Sequence, residues 1–230
     1  LPTLLQGELL KRKTVGVIGA GRIGANYARM MVEALKMNLI YFDLQENTEL
    51  EEYVRAYSAF LESNEEPPVT CRRADSVDNL LRQADCVSLH TLLNDSTHHL
   101  IDGERLAIMK PTAILVNTSR GPVIDEAALV AHCKKNPNFR AGLDVFEDEP
   151  RLSPGLADLE NVVIVPHIAS ATRWTRQGMA SLAAANVAGL LLGYPAWQRA
   201  DISGFLEGVP PKAAPSVLNA DDLGISVYQE

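Results

Sequence analysis

Three residues able to move a proton or hold a carboxylate fall just after short apolar runs. Arg120 follows residues 113–117 (AILVN) in the turn Thr118-Ser119-Arg120-Gly121, Glu149 follows residues 139–145 (FRAGLDV) and precedes Pro150, and His167 follows residues 161–166 (NVVIVP). A histidine can give and take a proton near neutral pH. A carboxylate beside it favours the imidazolium, and an arginine offers a substrate carboxylate a bidentate fork. Together they suit carbonyl–hydroxyl redox chemistry next to a hydride carrier. Each also has a plainer role open to it. Arg120 could pair with a structural carboxylate, Glu149 sits in the acidic run Glu147-Asp148-Glu149, and His167 could satisfy a backbone carbonyl. His90 ends another apolar run, but Thr91 and Leu92 beyond it read as the wall of a cofactor pocket. His98, His99 and His132 read as surface. No metal site is expected, because no His pair has a third ligand at useful spacing.

A carrier for the hydride is suggested by residues 14–24, TVGVIGAGRIG. Val15, Val17 and Ile18 read as a buried strand. Ile23, Tyr27, Met31, Ala34 and Leu35 recur at helical spacing. Gly19, Gly21 and Gly24 therefore form a G-x-G-x-x-G where a strand turns into a helix, the context that makes this fingerprint meaningful. The first glycine permits the tight turn, the second lets a pyrophosphate approach the backbone, and the third lets helix and strand pack closely. The helix start, at Arg22 and Ile23, offers free N–H groups and a favourable dipole to phosphates. Residues 38–42 (NLIYF) read as the next strand, with Asp43 at its end, 19 residues past Gly24. A carboxylate there accepts hydrogen bonds from a ribose and repels a 2′-phosphate, which predicts NAD(H) rather than NADP(H).

These elements belong to a regular alternation. Helices are predicted over 23–35, 47–63, from a cap at Asp75 or Ser76 through Leu81, over 104–109, 125–134 and 172–192. Strands are predicted over 14–18, 38–42, 69–72, 86–90, 113–117, 139–145 and 161–166. Short apolar strands alternating with helices specify an α/β fold, a Rossmann-type doubly wound parallel sheet with helices on both faces. In such sheets ligands bind beyond the carboxyl ends of the strands, where Arg120, Glu149 and His167 fall. The expected organisation is a lead-in over 1–13 ending in a turn, a nucleotide-binding domain over 14–192, and a C-terminal segment over 193–230 that reads as extended or partly disordered. Trp174 could touch substrate or pack, and packing is the favoured reading.

Composition excludes other classes. The 230 residues carry a formal net charge of −8, and Lys and Arg form no basic block, so no nucleic-acid partner is expected. No apolar run reaches bilayer length, so no membrane association is expected. The cysteines, Cys71, Cys86 and Cys133, are odd in number and widely spaced, which fits reduced thiols of a soluble intracellular protein.

The segments TVGVIGAGRIG, ADCVSLHTLLNDSTHHLI, AILVNTSRGPVIDEAALV, GLDVFEDEP and VPHIAS, in that order across residues 11–170, resemble the NAD-binding domain of the D-isomer-specific 2-hydroxyacid dehydrogenases. YARMMVEALKMNLIYFDL, the insert around residues 53–70, HIASATRWTRQGMA and APSVLNADDLG resemble the plant-type hydroxypyruvate reductase branch of that family. The resemblance implies that Arg120 binds the substrate carboxylate and keto oxygen, and that Glu149 pairs with His167, the acid–base. It also implies that Asp144 holds the nicotinamide carboxamide, that Thr91, Leu92 and Thr118 line the nicotinamide half, and that Ser119, Arg120, His167 and Ala169 belong to the cofactor site. Arg22 and Ile23 would meet the pyrophosphate and Asp43 the ribose. The implied reaction is NADH-dependent reduction of a small 2-oxoacid, hydroxypyruvate and also glyoxylate, to D-glycerate or glycolate, in a homodimer formed through the NAD-binding domain.

Family members build most of a substrate domain from chain preceding the fingerprint. Little precedes Thr14 here, so residues 1–230 alone are expected to bind NAD yet turn over weakly. The last residues, Val227-Tyr228-Gln229-Glu230, carry no Ser-Lys-Leu address, so peroxisomal import by that route is not expected. A non-catalytic NAD-sensing dimer like the C-terminal-binding-protein co-repressors, or a fragment retaining nucleotide binding without turnover, remains open. Relatives of the co-repressor type keep a similar Arg, Glu and His.

Overall fold

The computed structural model describes residues 7–199 and 201–229. Residues 1–6 of the expected lead-in, and residues 200 and 230 of the expected C-terminal segment, lie outside the described residues. The remaining lead-in does end in a turn, with Lys13 N–H donating to the Leu10 carbonyl at 3.0 Å. The chain divides into two compact units, Leu1–His167 and Ile168–Glu230.

The first unit runs β1 (Thr14–Ile18), α1 (Arg22–Leu35), β2 (Asn38–Phe42), α2 (Thr48–Ser63), β3 (Cys71–Arg73), α3 (Val77–Gln83), β4 (Cys86–Leu89), α4 (Gly103–Ile108), β5 (Ile114–Asn117), a 3₁₀ turn (Gly121–Val123), α5 (Glu126–Lys135), β6 (Arg140–Leu143) and β7 (Val162–Ile164). The strands form one seven-stranded sheet in the order β3-β2-β1-β4-β5-β6-β7, and each adjacent pair is parallel. This is the expected doubly wound architecture, and its order reverses between β1 and β4, which is where such sheets open a ligand crevice.

Alternate residues of each strand feed opposite faces. Val15, Val17, Leu39 and Tyr41 pack with Ala28, Val32, Leu50 and Val54 of α1 and α2. Ile18, Ile40, Val87 and Leu89 pack with Leu80, Leu81, Leu106 and Leu129 of α3, α4 and α5. Burial on both faces explains why the strands read as continuous apolar runs.

Helix starts follow from local chemistry. The side chains of Asn47, Ser76, Asp102 and Asp125 each accept the backbone N–H three residues on, satisfying a donor that has no partner within the helix. Ser76, rather than Asp75, supplies the cap of α3. Most predicted strands are longer than the paired ones. For 69–72 the ladder is Cys71–Arg73, and 139–145 reduces to Arg140–Leu143, because flanking residues belong to entry and exit turns.

In the second unit α6 (Arg173–Leu191) starts at a Thr172 cap and α7 (Ser203–Leu206) follows. The segment after Gly193 departs from the extended or partly disordered reading. Ala196 bridges both Ala214 and Val227, and Phe205 meets the Trp197 ring edge-on with centroids 5.3 Å apart. Small residues permit this. A Cβ on Gly189 would lie 2.9 Å from the Ala214 Cα, so bare backbones touch where composition reads as loop. Trp174, expected to pack, is 64% exposed. The three cysteines are free, with Cys86 and Cys133 buried. No helix among the described residues is long and apolar enough to cross a membrane.

Candidate active site

The glycine turn closes as its sequence predicts. Gly19 takes φ +91°, a left-handed conformation suited to glycine, and its N–H donates to the Phe42 carbonyl at 2.9 Å. A Cβ on Gly24 would lie 1.9 Å from the Gly19 carbonyl oxygen, so the third glycine is what lets α1 pack onto the turn. A Cβ on Gly21 would meet nothing within 4 Å. The backbone face at the start of α1 is therefore open, with Arg22 and Ile23 exposed beside it.

Asp43 lies at the end of β2, and its Oδ2 accepts the Ala20 N–H at 2.8 Å. Two further residues brace this corner that the sequence reading did not single out. Asn47 Nδ2 donates to the Ala20 carbonyl at 2.7 Å, and Arg73 donates to the carbonyls of Asp43 and Leu44. Asn47 could have been found as a helix cap following a strand-end carboxylate. Arg73 could not, since it arrives from β3.

A cleft of about 630 Å³ opens over this corner, lined by Gly19, Gly21, Asp43, His90, Thr91 and Leu92 among others. The Thr91 hydroxyl is buried there without a partner among the described residues, which leaves a polar group for a ligand to satisfy. The open Gly21 backbone, the free start of α1, the Asp43 carboxylate and the orphaned Thr91 hydroxyl together fit a dinucleotide.

His90 differs from a catalyst. Its Nε2 is 2.9 Å from the Ser88 hydroxyl, its ring lies 5.1 Å from that of Tyr27, and burial pushes it down to about 4, so it stays neutral at physiological pH.

At the carboxyl ends of β5, β6 and β7 the fold gathers the second set. Asn117 builds the turn after β5. Its Oδ1 accepts both the N–H and the hydroxyl of Ser119, and its Nδ2 donates to the Arg120 carbonyl. Ser119 is thereby buried with its hydroxyl engaged, while Thr118 and Arg120 stand exposed. Asp144, 3% exposed at the end of β6, accepts the His167 N–H through its carbonyl at 2.9 Å. Ala169 belongs to the second unit.

Glu149 and His167, 18 residues apart in sequence, meet here. Glu149 Oε2 is 3.0 Å from His167 Nδ1, and its Oε1 accepts the Phe146 N–H at 3.1 Å. The His167 bond and the Phe146 N–H hold the Glu149 carboxyl below its ordinary range. His167 takes φ +52°, unusual for a non-glycine residue. Engaging Nδ1 fixes the ring and leaves Nε2 without a partner among the described residues. A ring so held presents Nε2, the one nitrogen left for a proton or a ligand, away from Glu149.

Two of the three histidines read as surface are only partly exposed. His132 is half-buried edge-on against Phe139, and burial lowers its pKa. His99 Nε2 is 2.6 Å from Glu147 Oε1, and donor atoms of His98, His99 and Glu147 all lie within 4.8 Å of one another. Sequence spacing hides this group, because Glu147 comes from a strand end 48 residues away.

Comparison with known proteins places this geometry. The profile of the D-isomer specific 2-hydroxyacid dehydrogenase, NAD binding domain, matches residues 2–169. The chain is 60% identical over 230 residues to a peroxisomal glycerate dehydrogenase of Arabidopsis thaliana, covering 99% of this chain and 60% of that protein. It is 62% identical over 227 residues to a glycerate dehydrogenase of Cucumis sativus, covering 97% of this chain and 59% of that one. Among solved structures, apo D-mandelate dehydrogenase of Rhodotorula graminis superposes with a TM-score of 0.69 at 33% identity, over 82% of this chain and 51% of that one. D-lactate dehydrogenase with NAD+ from Lactobacillus jensenii gives 0.68 at 29% identity, over 84% and 57%. The chain thus spans about 60% of the length of these two plant relatives. With the fingerprint, sheet order and profile in agreement, the chain belongs to the D-isomer specific 2-hydroxyacid dehydrogenases and carries their NAD-binding domain.

Proposed function

We propose that the full-length gene product reduces a small 2-oxoacid, hydroxypyruvate and also glyoxylate, to the D-2-hydroxyacid with NADH. The observation that carries this reading is the Glu149–His167 pair, closed at 3.0 Å among the carboxyl strand ends of a sheet whose other half holds the dinucleotide cleft. The names of the relatives at about 60% identity support the substrate class.

A bound nicotinamide would supply hydride to the carbonyl carbon. His167, its Nδ1 engaged by Glu149, would deliver the proton to the carbonyl oxygen from Nε2, and Glu149 would steady the imidazolium before transfer. Arg120, exposed at the end of β5, would grip the substrate carboxylate through its fork. Gly21 and the start of α1 would take the pyrophosphate, and Asp43 the adenosine ribose. Thr91, Leu92, Thr118 and Asp144 would border the nicotinamide. The residues form the nucleotide-binding domain over 14–192 and a segment returning to a substrate domain over 193–230, and the working protein is a homodimer.

The test is a steady-state assay of the full-length gene product with NADH and NADPH against hydroxypyruvate and glyoxylate, alongside His167→Ala. Turnover should fall by about 10²–10⁴-fold in the variant while NADH binding, read by fluorescence titration, is retained. Turnover surviving in His167→Ala would remove the acid–base assignment. NADH binding without turnover in the parent would favour the sensing dimer instead.

A further inference from the structure

Glu126 opens α5 and is 2% exposed. Among the described residues its carboxylate is held by backbone N–H groups rather than by a cation. Oε1 accepts the Glu147 N–H at 2.6 Å and Oε2 the Ser153 N–H at 3.3 Å. Burying a carboxylate is costly unless it is hydrogen-bonded, and charge-assisted bonds to N–H groups are the strong kind that offset that cost. The two anchored N–H groups bracket Glu149. Glu147 returns the contact, since its Oε2 accepts the Glu126 N–H at 3.2 Å while its Oε1 meets His99 Nε2. From the other side the Arg120 turn presses on the same loop. A Cβ on Gly121 would lie 1.8 Å from the Phe146 carbonyl oxygen.

We propose that Glu126 is the positioning residue for the acid–base pair, clamping residues 147 and 153 to the start of α5 so that Glu149 reaches His167 Nδ1. The inference rests on the catalytic reading above for its kinetic consequence, and on geometry alone for its structural one. Glu149 stands in a turn closed by one Asp148–Arg151 bridge, in which the Arg151 N–H donates to the Asp148 carbonyl at 2.9 Å, and Glu126 ties both sides of that turn to α5. A single side chain at 3.0 Å from an imidazole needs its backbone held, and misplacement by about 1 Å at a catalytic constellation costs about a hundredfold in rate. Glu126→Gln keeps the shape but replaces one acceptor oxygen with a donor facing an N–H, so one anchor is lost.

The experiment uses the full-length gene product with Glu126→Gln, Glu126→Asp, and Glu149→Gln as reference. Its readouts are the ¹⁵N shift of His167 Nδ1, the ¹³C titration of the Glu149 carboxyl, kcat and KM, and the melting temperature. In Glu126→Gln the His167 Nδ1 signal should move towards its position in Glu149→Gln. The Glu149 carboxyl should titrate back towards its ordinary range, and kcat should fall about tenfold or more with the KM for NADH within about twofold. Adding Glu126→Gln to Glu149→Gln should lower kcat no further. Unmoved His167 and Glu149 signals in Glu126→Gln, with only the melting temperature reduced, would overturn the proposal. If Glu126→Gln does not fold, Glu126→Asp, which keeps the charge but shortens the reach to the two N–H groups by one methylene, takes its place, and the same unmoved signals there would overturn the proposal. Undiminished kcat in Glu149→Gln would instead sink the catalytic reading, while the two spectroscopic signals still decide on Glu126.

Discussion

In the half of the sheet around β1 and β2, the glycine turn, Asp43 and Asn47 all come from residues 19–47, and they brace one another through Ala20. In the other half, Arg120, Glu149 and His167 come from loops after three different strands. Arg120 is set locally, by Asn117 three residues back, but Glu149 and His167 are set by groups distant in sequence: Glu126 under the 147–153 loop and the Asp144 carbonyl under His167. The first half is a local device, where a run of residues suffices to shape a phosphate-binding turn. The second is an assembly, where the Glu149–His167 contact exists only because the strands stack in order and the loops lock to one another. The difference teaches that cofactor binding should survive damage that abolishes the acid–base pair.

Two glycine substitutions give the sharpest contrast and the largest effects. Gly24→Ala drives a methyl against the Gly19 carbonyl and Gly121→Ala drives one against the Phe146 carbonyl, each inside 2 Å. Either should cost about 4 kcal/mol or more of stability by denaturant unfolding, a loss reserved for backbone clashes of this kind. In whatever protein folds, Gly24→Ala should lose NADH binding and Gly121→Ala should keep it while losing turnover. Loss of both functions in both variants would erase the distinction between the halves.

Arg120→Lys comes next. It keeps the charge but removes the fork, and should raise the KM for the 2-oxoacid by about 10- to 100-fold, the worth of a charge-assisted bidentate contact, with NADH affinity unchanged. Asp43→Ser acts on the other half. The preference for NADH over NADPH should fall by about tenfold or more, since the carboxylate goes while Arg73 stays beside it. An unchanged preference, measured by competitive binding of the two nucleotides, would show that Asp43 serves only to hold the Ala20 N–H.

The smallest effect is on pH. Folding lowers His90 to about 4 from an ordinary value near 6.5. As pH falls between these values the unfolded chain takes up a proton that the folded chain refuses, so stability declines through that window and levels off below it. His90→Gln should flatten that part of the stability curve in pH-dependent melts. An identical slope in the variant would mean that other groups set it.

Much of the fold was readable because two periodicities, apolar strand runs and amphipathic helices, alternate without interruption, and because the cap before α3 was legible at Asp75 or Ser76. The tail was not readable. Its order comes from Ala196, Gly189 and Ala214 approaching as bare backbones, and small residues leave no pattern. His99 and Glu126 were missed for a related reason, as their partners lie far along the chain.

By itself, then, the sequence determined the glycine turn, the Asp43 carboxylate and the strand-end placement of Arg120, Glu149 and His167, since these depend on local backbone chemistry and on strand order. Only the tertiary structure decided that Glu149 reaches His167 Nδ1 and that a buried carboxylate at Glu126 holds the loop that carries Glu149. Those outcomes depend on distances between strand ends, and such distances are set by packing rather than by any run of residues.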